Sequence, residues 1–151
     1  MTDAEIGWVA GIVDGEGCIL IENATSRFRG RDYPGLRLCL RVGNTDPRLI
    51  LKLEALFGGG HVRRMPGRNR RRALFTWNVS SRRAADVVRL IFPHLVIKRE
   101  QAELALAFAK TLRPRGGRGR LSAQTVEQRQ WLRRQLMTLH QKAPEIQDAS
   151  L

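Results

Sequence analysis

Two carboxylates two residues apart, Asp14 and Glu16, stand where the surrounding pattern stops being helical. From Glu5 to Asp14 the spacing predicts a helix with Thr2 or Asp3 as its N-cap, and the run Asp14-Gly15-Glu16-Gly17 predicts its end, because two glycines favour a C-terminal turn. The carbonyl end of a helix carries partial negative charge, so acids there oppose the local field. A cation among those oxygens would remove the conflict, and a group of hard oxygen donors is what Mg²⁺-type ions require. Upstream, Gly7, Ala10 and Gly11 fall three and four residues apart on one stripe of the same helix. Small residues so spaced let a second backbone come very close.

The elements that must position this helix end follow from periodicity. Cys18 to Asn23 reads as a strand and residues 24–34 as a polar, basic hairpin loop. Leu36, Leu38, Leu40 and Val42 alternate with Arg37, Cys39 and Arg41, so the leucines predict a buried face and the arginines an opposite, cationic one. Asp46-Pro47 opens a second helix that runs to Phe57 and ends at Gly58-Gly59-Gly60. His61 to Met65 is a third strand, 66–71 a basic turn, and Leu74 to Ser80 a fourth strand with Phe75, Trp77 and Val79 opposed to Leu74, Thr76 and Asn78. Ser81 is placed to cap a third helix that closes at Pro93. A fourth helix covers about Arg99 to Leu112, and a last one Ser122 to about His140 after a Gly/Arg connector at 113–120.

The fold class expected is therefore α+β, in the order αββαββα with additional C-terminal helices: one domain over residues 1–151, its core at about 5–112. Four antiparallel strands with helices on one face leave the other face free. That face is expected to collect Arg37, Arg41 and Arg63, with Arg27, Arg29, Arg68, Arg70 and Arg72 around it.

Charge points the same way. The 151 residues hold 27 Lys+Arg against 14 Asp+Glu, a formal net charge of +13, and the lysines are only Lys52, Lys98, Lys110 and Lys142. Arginine's planar fork matches phosphate and guanine edges, and so positive a surface gains free energy by releasing counterions from a nucleic acid. Cys18 and Cys39 have neither zinc spacing nor the number for a disulfide framework, and His61, His94 and His140 are scattered, so zinc is not expected. No apolar stretch is long enough to span a bilayer and no secretion signal opens the chain, so no membrane role is expected and an intracellular location, cytoplasm or organelle matrix, is.

The segment Val9-Ala10-Gly11-Ile12-Val13-Asp14-Gly15-Glu16-Gly17, followed by a strand, resembles the motif of the LAGLIDADG homing endonucleases. The similarity continues through the αββαββα order to His94-Leu95-Val96-Ile97-Lys98-Arg99-Glu100-Gln101-Ala102, covering about residues 5–112. This resemblance implies a homodimer, since the chain carries one motif, with Gly7, Ala10 and Gly11 at the two-fold axis. It implies Glu16 as the metal-binding acid beside the Gly15 carbonyl, with Mg²⁺ (or Mn²⁺) as cofactor; Asp14 we read as fixing the helix end and not as a direct metal ligand. By position, Asn44 would help order water and Lys98 would act near the scissile phosphate. The implied activity is a staggered double-strand cut with 3′ overhangs in a long, near-palindromic DNA target, as in intron homing, its bases read by Arg37, Arg41, Arg63, Thr76 and Asn78. Two other readings stay open: a non-catalytic DNA-binding regulator, and an RNA maturase assisting intron splicing, for which the Gly/Arg connector leaves room.

Overall fold

The first helix, α1 (Asp3–Glu16), starts with a reciprocal cap in the computed structural model, which describes residues 1–28, 30–67, 72–113 and 120–141. Thr2 N donates to Glu5 Oε2 at 2.9 Å and Glu5 N to Thr2 Oγ1 at 3.3 Å. The helix does not stop at Asp14. It runs through Gly15 and Glu16, and the break falls at Gly17, whose backbone is extended (φ −88°, ψ 158°). A Cβ at Gly17 would lie 2.6 Å from the carbonyl oxygen of Val13 and 2.8 Å from its Cα. Glycine is needed there for close approach and not for a left-handed turn.

Strand β1 (Gly17–Phe28) pairs antiparallel along its whole length with strand β2 (Arg31–Asn44), from Gly17↔Val42 to Phe28↔Arg31. The stretch 24–34, expected as a loop, is thus mostly ladder, with pairs such as Ala24↔Gly35 and Thr25↔Pro34 and a turn that includes Gly30 at φ +74°. The reason is backbone pairing: the ladder needs no apolar side chains once the inner half has set the register, and a hairpin tip clear of the core can be polar on both faces.

Helix α2 (Pro47–Phe57) follows, with Asp46 as N-cap accepting from Arg48 N at 2.9 Å and Gly58 left-handed after its end. Strands β3 (His61–Met65) and β4 (Leu74–Ser80) complete a sheet in the order β1-β2-β4-β3, antiparallel throughout. Trp77 of β4 is fully buried, stacks on Phe57 at 5.4 Å and donates from Nε1 to the Gly59 carbonyl at 2.9 Å. Gly60 (φ +125°) leaves it that space, since a Cβ there would meet Trp77 Nε1 at 2.2 Å.

Helix α3 (Ser81–Ile91) is not capped by Ser81, which is its first residue at φ +55°; Ser80 holds the cap position without a side-chain bond. A 3₁₀ turn (Phe92–His94) separates it from α4 (Arg99–Lys110), and α5 (Ala123–Gln141) packs on α4 and β1. Within α5, Leu132 and Leu136 are buried in the core while Val126 is exposed. Arg129 ties α5 down by donating to Thr111 Oγ1 at 2.8 Å and Thr111 O at 2.6 Å, where it satisfies the carbonyl end of α4. Val9, Ile19, Leu38, Leu40, Val42, Leu53, Trp77, Val79, Ile91 and Phe108 share one core between the helices and one sheet face.

Candidate nucleic-acid interface and metal centre

At the end of α1, three expected residues come together. Asp14 Oδ2 accepts from Val96 N at 2.8 Å and Oδ1 from Lys98 N at 2.9 Å, so this carboxylate fastens the segment before α4 to the helix end. Lys98 Nζ in turn donates to the Asp14 carbonyl oxygen. The last turn of α1 holds no base of its own, so the ammonium of Lys98 offsets the negative helix terminus from across the fold. Glu16 is exposed and makes no hydrogen bond or ion pair with the described residues. A hard-cation site built here would have oxygen donors only: the Glu16 carboxylate and the carbonyls of the helix end. Among the described residues no three Asp, Glu, His or Cys side chains converge, so one chain brings one free acid to the place.

Asp14 gives a direct stability test. Asp14→Ala removes a charged acceptor from two backbone N–H groups, and is expected to lower the unfolding free energy by about 2–4 kcal/mol. A denaturant titration checks it, and an unchanged midpoint would mean that the segment around Val96 is held by other contacts.

Asn44 ends β2, two residues beyond the Val42 that pairs with Gly17. Its Oδ1 accepts from Asp46 N at 2.8 Å in a turn leading into α2, so only its amide NH₂ remains for another partner.

On α1, added Cβ atoms at Gly7, Gly11 and Gly15 would meet nothing within 4 Å, so glycines at intervals of four leave one edge of the helix open, with Trp8 exposed beside it. Ala10 is not on that edge; it is fully buried in the chain's own core. Gly15 joins the stripe one turn beyond Gly11, a member that the spacing of Gly7, Ala10 and Gly11 does not include.

The sheet face turned from the helices carries the expected readers. Register puts Arg41 beside Asn78 and Asn78 beside His61, with Gly43, Thr76 and Arg63 in the next row. Arg37 and Arg41 share this face with Glu22 of β1. Arg37 Nη2 lies 3.0 Å from Glu22 Oε1 and Arg41 Nη2 3.5 Å from Glu22 Oε2. The thiol of Cys39, buried between them in register, donates to Glu22 Oε1 at 3.1 Å. Burial pulls the Glu22 carboxyl upward, but the bonds from Cys39 and Arg37 outweigh it and hold it below the usual range. Burial, reinforced by the Glu22 carboxylate, pushes the Cys39 thiol up to about 11, so it stays protonated and donates.

This face is therefore less purely cationic than the β2 alternation suggests. Arg27 falls in the other alternation, that of Ile21 and Asn23, and lies 3.8 Å from Asp32 across the hairpin tip. Arg72 is exposed between β3 and β4, while Arg29, Arg68, Arg70 and residues 114–119 of the Gly/Arg connector lie outside the described residues. Glu22 and His61 escape the sequence reading because the alternation of one strand does not say which residue of its neighbour lies across from it. The alternation Cys18-Leu20-Glu22, set opposite Arg37 by a hairpin paired through its tip, is the signal that would have found Glu22.

No family model and no curated protein matches the sequence. Solved structures match its fold along nearly the whole chain. The homing endonuclease I-CvuI, solved in complex with its target in the presence of Ca, has a TM-score of 0.71 at 23% identity over 93% of this chain and 85% of that one. The archaeal intron-encoded homing endonuclease I-Vdi141I, complexed with DNA, gives 0.72 at 14% identity over 97% and 90%. I-SmaMI, a LAGLIDADG homing endonuclease bound to cleaved DNA, gives 0.63 at 16% identity, but there 85% of this chain spans only 42% of the other. The chain has the fold of the LAGLIDADG homing endonucleases, α+β, and its described residues form a four-stranded antiparallel sheet and five α-helices. Among the described residues no helix is long and apolar enough to cross a membrane.

Proposed function

We propose that this protein is a site-specific DNA endonuclease that works as a homodimer. The observation that carries the proposal is the end of α1: a free Glu16 carboxylate on a helix whose open edge is a glycine stripe. Two copies packed along that edge about a two-fold axis would bring their Glu16 side chains to one place, supplying the second acid that one chain lacks. The length relations support this reading, since the chain spans most of I-CvuI and I-Vdi141I but less than half of I-SmaMI. All three are DNA-bound in their structures, and the +13 net charge suits the same ligand.

Glu16 and the Gly15 carbonyl would hold the cation, and their hard oxygens fit Mg²⁺ or Mn²⁺. Such an ion, when bound, lowers the pKa of water and stabilises charge building on a phosphodiester. Lys98 contributes a fixed positive charge beside the phosphate, already held at the helix end by its bond to the Asp14 carbonyl. The Asn44 amide donates to and orients the attacking water. Arg41, Arg63, Thr76 and Asn78 lie on the face that would enter the major groove, where a good bidentate arginine–guanine contact gives about 1–3 kcal/mol of discrimination. Two symmetry-related centres would each cut one strand, and the resemblance to the LAGLIDADG endonucleases implies that the cuts are staggered, with 3′ overhangs.

The test is to incubate the protein with a randomised duplex library in Mg²⁺ or Ca²⁺ and sequence the cleaved ends. Mg²⁺-dependent ends at one near-palindromic sequence are expected. Selective retention of a sequence that is never cut would turn the reading to a DNA-binding regulator, and a preference for structured RNA to a maturase.

A further inference from the structure

Arg37 and Arg41 are the two cations that the alternation over Leu36–Val42 sets toward DNA, yet neither is free in the folded chain. Both reach the same carboxylate, Arg37 from the position directly opposite Glu22 and Arg41 from four residues along the strand, over Cys39. All three side chains are between about a third and a half exposed (Glu22 30%, Arg37 46%, Arg41 43%), so a partner entering from outside meets them as a unit.

We infer that Glu22 is a specificity-determining residue: its carboxylate holds Arg37 and Arg41 against the sheet, so that phosphates of any sequence compete poorly for them while a G·C pair of the right register can satisfy all three groups. This rests on the proposal that the sheet reads duplex DNA. The chemistry divides by base. Guanine N7 and O6 accept from an arginine fork, and cytosine N4 donates to a carboxylate, so arginine and Glu22 together complement the two edges of one pair. A phosphate offers acceptors only, which an arginine can use but Glu22 repels. The hydrogen bond from the buried Cys39 thiol fixes the carboxylate from beneath, which limits its freedom to swing away when DNA arrives. Without Glu22 two cations become available to the backbone, and binding gains strength where it carries no sequence information.

The experiment compares wild type, Glu22→Gln and Glu22→Asp on the duplex selected from the library and on a random-sequence duplex, across a salt series. Glu22→Gln is expected to bind the random duplex roughly tenfold more tightly. Its salt slope should steepen by up to about 2 for each protomer of the dimer, since each of the two released arginines adds a phosphate contact that contributes about 0.9. The ratio of selected to random affinity should fall tenfold or more, with base preference relaxed at the G·C positions of the selected site. Glu22→Asp keeps the charge on a shorter arm and should fall between the two. Wild-type selectivity and salt slope retained in Glu22→Gln would overturn the inference while leaving the DNA reading intact. A wild type with no preference for any duplex would overturn the underlying reading, and this one with it.

Discussion

Glu16→Gln protein is expected to cleave its target at least about 10³-fold more slowly than wild type, since on the proposed reading each of the two centres would lose the charged oxygen that holds the metal. Binding should change by no more than roughly threefold, because the substitution removes no cation from the arginine-bearing sheet face. The side chain keeps its size and, being exposed and unpartnered, its loss leaves no orphaned group in the fold. Cleavage under single-turnover conditions and gel-shift titration in Ca²⁺ separate the two effects. Normal cutting by Glu16→Gln would remove the carboxylate from the mechanism, and joint loss of binding and cutting would give it a structural role instead.

Gly11→Leu is expected to do the opposite of an ordinary glycine replacement. In the isolated chain a Cβ at Gly11 meets nothing, and replacing an exposed helical glycine by leucine favours the helix by about 0.5–1 kcal/mol. Each protomer should therefore unfold at the same or a higher temperature. A two-fold axis along the stripe doubles the insult, because both copies bring a leucine into one close contact. At about 1–3 kcal/mol for each overpacked site, dimerisation should weaken roughly 100-fold or more, and cleavage should fall with it at low protein concentration. Sedimentation velocity shows the shift from dimer to monomer. A persistent dimer with full activity would move the interface elsewhere on the chain.

The two outcomes are independent in kind. On the proposed reading Glu16 would act on chemistry at constant assembly and Gly11 on assembly at constant chemistry, and mixing Glu16→Gln protein with wild type gives a further check. A heterodimer of Glu16→Gln with wild type keeps one acid of the pair, and its rate reports whether both are needed.

Much of this was legible in the residues. The order of elements follows from hydrophobic period, from the capping signals at Thr2 and Asp46-Pro47, and from the glycines after Phe57. The identity of the exposed acid at the end of α1 was also legible, because an acid at a helix C-terminus without a base in the same turn is a local conflict that sequence displays. What relieves part of the conflict was not. Lys98 reaches the Asp14 carbonyl from 84 residues away, and the Asp14 carboxylate binds backbone N–H groups of that same distant segment.

The same division separates the two halves of the site. Sequence alone determined that β2 has an arginine face, since alternation is a property of one strand. Only tertiary structure decided that Glu22 lies opposite Arg37, that Arg27 falls on the other face, and that Ala10 points inward while Gly7, Gly11 and Gly15 stay open. The physical reason is that register and helix rotation are fixed by which apolar residues find the core together. Ile19 against Leu40 and Ile21 against Leu38 set the hairpin register, and the buried Val9, Ala10 and Val13 set the roll of α1. Period names the faces of an element, and packing chooses what each face meets.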